Sequence, residues 1–226
     1  MKKTLMKYKH ALLPILYFVV YMPLFSYLEK RTPEKFNIIY MKVDDYIPFC
    51  EYFIVPYYMW FFYIAITVVA FIFIDKQDFY KLCITLGTGM TLFLIISYVY
   101  PNAHELRPTI FERDNIFVSM IKLLHQADTP TNLFPSIHCY NSLMAHIAIA
   151  NCEKLKRYTK TRAFSLILCI SILFSTVFLK QHSVFDVLTA VVLSAIMYFI
   201  VYRYDLLIKI RQKMRNNSKK ASAETI

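Results

Sequence analysis

The chain has 226 residues, 58% apolar, 17% aromatic and 18% charged, with a mean hydropathy of +0.43 and a formal net charge of +11. Soluble domains average about 45–50% apolar and roughly a quarter charged, so these values and the long apolar runs exclude a soluble globular domain and a disordered chain. Five cysteines, few and odd in number, exclude a disulfide-stapled secreted module, and the fold class that remains is all-α, a polytopic membrane protein.

Six apolar segments read as spanning helices: Ala11–Leu28, Phe53–Ile74, Leu82–Tyr100, Ile137–Cys152, Ala163–Leu179 and Val184–Tyr202. A span needs roughly 20 residues. The fourth has only 16 and is expected to lengthen through Phe134–Ser136 or past Cys152. The first follows a Lys-rich start, but its length and the lack of a small-residue cleavage site favour an uncleaved anchor. Residues 1–207 form one six-span domain, and 208–226 a basic, polar tail that reads as disordered.

Between the first two spans, Thr32–Tyr52 mixes Pro33, Pro48, Asp44 and Asp45 with apolar residues and is expected to lie along the interface. Within 101–135, Ile116, Phe117, Met120, Ile121 and Leu124 recur at helical spacing. They predict a short interfacial helix over Asn115–Gln126, capped by Asp114 or Asn115. His104 and His125, in the same stretch, read as surface residues. Cys83, Cys152 and Cys169 lie in or at the ends of spans, and a Cys50–Cys139 disulfide is disfavoured. Gly87 and Gly89, the two glycines of the chain, read as close-packing points in the third span.

Basic residues set the orientation. With a cytoplasmic N-terminus, 18 of the 26 Lys and Arg fall in inside segments, so both termini are expected to be cytoplasmic. The net charge is then mostly an orientation signal. The basic tail suits anionic lipid, worth about 1 kcal/mol per Lys or Arg near the surface. Nucleic-acid binding is disfavoured.

Ionisable groups at membrane depth are costly, and the spans hold three that titrate at physiological or acidic pH: His138, His146 and Asp186. The expected topology puts Arg107, His138, His182 and Asp186 at one membrane face and similar depth. His182 and Asp186, spaced i, i+4, share a helical face; a carboxylate on one imidazole nitrogen fixes the tautomer and frees the other as nucleophile or base. His146, roughly 12 Å deeper, reads as a hydrogen-bonding residue of the bundle. Asn141 and Ser142, one turn from His138, are candidates to orient it.

The segments Leu106-Arg107-Pro108, Phe134-Pro135-Ser136-Ile137-His138 and Ser175-(six residues)-His182-(three residues)-Asp186 resemble the three signature motifs of the type-2 phosphatidic acid phosphatase superfamily. That superfamily includes lipid phosphate phosphatases and bacterial undecaprenyl-pyrophosphate phosphatases. The resemblance implies a lipid phosphatase in which His182 carries a phosphoryl group, Asp186 orients it, and His138 serves as acid and base. Arg107 and Ser136 would bind the phosphate, with no metal or other cofactor, and the substrate would be a membrane lipid phosphate.

Two family positions differ. The usual Lys of the first motif is Tyr100 here, and the usual Arg of the third is Thr176. Lys180 is either a replacement phosphate-binding cation or an interfacial lysine. A third motif without its Arg also resembles the sphingomyelin and inositol-phosphorylceramide synthases, which pass a phospho-headgroup to an alcohol. A proton-coupled carrier would need polar residues along the whole depth of the bundle, which these spans lack. Abundant Lys and Ile, without a transit peptide or retention signal, point to a bacterial inner membrane, with the site on its outer face.

Overall fold

A computed structural model describes residues 8–204; the basic tail expected over 208–226 lies outside them. Seven helices dominate: α1 (Leu12–Lys30), α2 (Ile54–Ile74), α3 (Lys76–Val99), α4 (Ile116–Ala127), α5 (Ile137–Asn151), α6 (Thr159–Phe178) and α7 (Val184–Met197). With the turns that continue them, five are long and apolar enough to cross a membrane: α1, α2, α3, α6 and α7. The protein is an all-α polytopic membrane protein.

The expected fourth span is α5, and it lengthens in neither direction. Ser136 caps its start, and Cys152, in extended conformation, stops it after 15 residues. At 1.5 Å per residue that is about 22 Å, short of the roughly 30 Å hydrocarbon core. Its position explains this. The helix packs against α2, α3, α6 and α7, and eight of its residues, Cys139 to Ile149, are buried. Protein, rather than lipid, surrounds it, so its length need not match the bilayer.

Tyr140, Met144, Ala145 and Ala148 of α5 form the middle of the core with Phe71, Phe79, Leu82, Ile172 and Ala190. Lipid offers helices no hydrophobic drive to associate, so close packing has to hold them. Gly89 shows how: Tyr140 fills the space a side chain there would need. Gly87 is looser, since a Cβ would meet Tyr17 at 3.8 Å. By contrast, α1 buries only Tyr21 and Leu28, and its main packing partner is α3.

Asp75 is the sole residue between α2 and α3, and its carboxylate caps α3 by accepting from the Gln77 and Asp78 amides. Lys154 reaches the same corner, donating to the Ile74 carbonyl at 2.6 Å and pairing with Asp75 at 3.0 Å. His10 contacts Ile72 there too. The helices therefore alternate in direction, and α1 starts and α7 finishes at this end.

At the opposite end the connections are built together. Thr32–Tyr52 takes part in this: Asn37–Ile38 (β1) pairs in parallel with Asn102–Ala103 (β2). The helix expected near Asn115–Gln126 forms as α4, with the Asn115 side chain accepting from Val118. It buries Val118, Ile121 and Leu124, the last two in a second cluster with Ile54, Tyr57 and Leu179. All five cysteines are free.

Candidate active site at one end of the bundle

The turn from α6 to α7 carries the first two components. Ser183 caps α7, and Asp186, three residues on, returns its carboxylate to the Ser183 amide at 3.0 Å, a capping box. The same Oδ2 lies 3.4 Å from His182 Nδ1. His182 precedes the helix, so the pair meets through this cap rather than along a helical face. Nδ1 thus carries the proton toward Asp186, and Nε2 has no hydrogen-bond partner among the described residues.

Asp44 fixes the cap from outside. Its carboxylate accepts from the Ser183 hydroxyl at 2.6 Å, the Val184 amide at 2.8 Å and the Met41 amide at 2.8 Å. A buried carboxylate at a helix N-terminus meets both free amides and the favourable end of the helix dipole.

The start of α5 supplies the third component. Asn102, fully buried, accepts from the Leu133 and Phe134 amides through one side-chain oxygen and donates to the Tyr100 carbonyl. This ties the loop of Arg107 to the loop of Ser136. His138, in the first turn of α5, lies between two rings of α2: Tyr57 stacked at 4.6 Å and Trp60 at 4.3 Å. Its ring centroid is 5.8 Å from that of His182. The imidazole is therefore held by aromatic walls, not by Asn141 or Ser142. Ser142 donates only to the His138 carbonyl, and Asn141 Oδ1 is buried without a partner.

Ser136 lies between these groups. Its hydroxyl oxygen accepts from Cys139 and its amide donates to the Asp186 carbonyl at 3.4 Å, so the amide is engaged within the protein and the O–H is left to donate.

Arg107 reaches the site from the α3–α4 connection. Nη1 donates to the Asp128 carbonyl at 2.7 Å and Nη2 to Gln181 Oε1 at 2.6 Å, with the Asp128 carboxylate at 3.4 Å. Nε is buried with no partner. Lys180, in a left-handed conformation with φ 57°, donates to the Asp44 carbonyl at 2.5 Å, so its ammonium serves that loop. The two altered family positions supply no charge. Tyr100 is about half exposed, and Thr176 donates to the Leu173 carbonyl of its own helix.

Two residues read as surface are part of the site's frame. His104 is buried; Nε2 donates to the Gln181 carbonyl at 2.8 Å while Nδ1 accepts from the Leu106 amide at 3.1 Å. His125 contacts the Gln181 side chain at 2.9 Å. No local pattern marks either one, because Gln181, the residue both of them meet, lies 77 and 56 positions away. His146 behaves as expected, hydrogen-bonded to Ser165 at 3.0 Å.

Burial, then the nearby Arg107, pushes the His182 imidazole down to about 3. Burial likewise takes His104 down to about 4, partly opposed by its bond to the Gln181 carbonyl. Asp128 moves up to about 6 on burial despite Arg107. The two histidines have an acid-stability consequence. Each is neutral when folded and binds a proton near pH 6.5 when unfolded, so the unfolded state gains protons first. Their contribution is complete above pH 6.5 and is lost as pH falls from there toward 4, on the order of 1 kcal/mol per pH unit for each histidine, while Asp128, protonated first in the folded state, acts in the opposite sense below about 6. In thermal unfolding in detergent, His104→Asn should therefore lose less stability, or gain more, than the wild type as pH falls from 6.5 to 4. Equal slopes for wild type and variant would rule out His104 as a source.

No curated protein and no solved structure matches the chain. A family model, that of the PAP2 superfamily, matches residues 105–208, the stretch that carries Arg107, Ser136, His138, His182 and Asp186. That stretch, and with it the set of residues just described, matches the type-2 phosphatidic acid phosphatase superfamily.

Proposed function

We propose that the chain is a metal-independent phosphatase that hydrolyses a lipid phosphate or pyrophosphate through a phosphohistidine. The supporting observation is the His138–His182 pair, 5.8 Å apart with Asp186 behind His182, close enough for one phosphate ester to touch both rings. His182 Nε2 attacks phosphorus with its lone pair while His138, protonated, gives its proton to the departing lipid oxygen. Asp186 holds the Nδ1 proton throughout. Water then attacks the phosphohistidine, His138 takes a proton from it, and His182 and inorganic phosphate are released. Arg107, through its unpartnered Nε, and the Ser136 O–H would neutralise the equatorial oxygens.

The lipid tails would stay in the bilayer while the headgroup reaches the site. Lys76, Lys154, Lys156, Arg157, Lys160, Arg162 and Arg203 belong to the end away from the site, which supports cytoplasmic termini and an outer-face site. A bacterial inner membrane is the location that fits.

One observation favours a second reading. The Thr176 side chain is turned into its own helix where the phosphatases of this family carry a cation, as in the related transferases that use a lipid alcohol in place of water. Purified protein with chelator, offered lipid phosphates and a diacylglycerol or ceramide acceptor, separates the two. Chelator-resistant phosphate release is expected. A headgroup-bearing lipid without free phosphate would make the chain a transferase.

A further inference from the structure

Gln181 adjoins His182 in the chain, is 1% exposed, and has every polar group engaged. Its amide donates to the Thr176 carbonyl at 2.9 Å, and its carbonyl accepts from His104 Nε2 at 2.8 Å. Its side-chain oxygen accepts from Arg107 at 2.6 Å, and its side-chain nitrogen meets His125 Nε2 at 2.9 Å. Donor and acceptor roles follow without ambiguity. A guanidinium only donates, so the amide oxygen faces Arg107 and the NH2 faces His125, whose Nε2 must then accept. His125 is thus neutral with its proton on Nδ1; burial, which takes this imidazole down to about 4, agrees.

We propose that Gln181 is a positioning residue that holds the Arg107 guanidinium beside His182 for phosphate, its own amide being oriented in turn by His125. This role rests on the phosphoryl-transfer reading above. A neutral acceptor suits it. The 2.6 Å bond fixes the guanidinium and leaves its positive charge for the substrate, whereas a carboxylate at the same place would neutralise it. Asp128 supplies only a 3.4 Å contact from its carboxylate and a bond from its main chain. With Tyr100 and Thr176 contributing no cation and Lys180 turned to Asp44, Arg107 carries most of the phosphate binding, so its placement has a large effect on turnover.

The test pairs steady-state kinetics on the best lipid phosphate with calorimetric titration of inorganic phosphate, full-length protein in detergent. Gln181→Glu keeps size and an oxygen facing Arg107, and should weaken phosphate binding and raise the apparent KM about tenfold or more. Gln181→Leu should raise KM and lower kcat, and should add almost nothing in an Arg107→Lys background, because the residue acts through Arg107. Equal effects of Gln181→Leu in both backgrounds would reduce Gln181 to packing and overturn the inference. Unchanged KM and phosphate affinity in Gln181→Glu would do the same. A wild type that neither releases nor binds phosphate would overturn the functional reading itself, and the positioning role with it.

Discussion

Turnover of a lipid phosphate should fall by at least about a thousandfold when His182 is replaced by alanine, with the protein still folded and inserted. The size follows from the absence of a substitute: among the described residues the only imidazole ring paired with His182 is His138, which the proposed mechanism uses as acid. Folding should survive because the ring makes one hydrogen bond, to Asp186, and Asp186 keeps its bond to the Ser183 amide. Asp186→Asn should lose less activity than His182→Ala, since it leaves the nucleophile in place with its tautomer unsecured. The wild type, quenched under base after exposure to a labelled lipid phosphate, should carry an acid-labile phosphoryl adduct that the alanine variant lacks. Near-normal turnover in His182→Ala would end the covalent mechanism.

The largest structural effect belongs to Gly89. A Cβ there would overlap Cε1, Cδ1 and Cζ of Tyr140, and the ring has nowhere to go. Tyr140 is 1% exposed and its hydroxyl donates to the Thr85 carbonyl at 2.7 Å, so moving it also breaks a buried bond. Gly89→Ala should cost about 3 kcal/mol or prevent folding, the upper part of the range for overpacked cores. Gly87→Ala, 3.8 Å from Tyr17, should be tolerated. Thermal unfolding of the two side by side decides the matter, and similar midpoints would mean that α3 and α5 can separate freely. Activity should fall with stability at Gly89, because Tyr140 lies two residues beyond His138 and the α3–α5 contact sets the height of that ring.

The spans were legible because apolar runs bounded by charges leave little choice of structure in lipid. The helix over Ile116–Ala127 was legible because Asn115 sits where a cap belongs. Arg107, His138, His182 and Asp186 could be placed at one end from the alternation of spans alone. Other parts of the site leave no such trace. The length of α5 depends on which neighbours wrap it, and the sequence of a short apolar helix does not say whether lipid or protein surrounds it. Asp44, Asn102, His104 and Gln181 look like ordinary loop polar residues, yet each is buried and satisfied by partners between 2 and 140 positions away. Their signal is the three-dimensional demand of unpaired loop amides and carbonyls, which exists only once the helix ends have been brought together.

Asp44 reaches the first turn of α7 from the connection between α1 and α2, and Tyr57 and Trp60 reach His138 from α2. All three precede residue 105, where the family resemblance begins. The residues of the proposed reaction are therefore only half of a joint assembly whose walls and anchor come from the chain's own N-terminal half. Exchange of the motif-bearing half with that of another family member would carry the reactive groups but not their support. The two halves are expected to vary together, as a lock changes with its key.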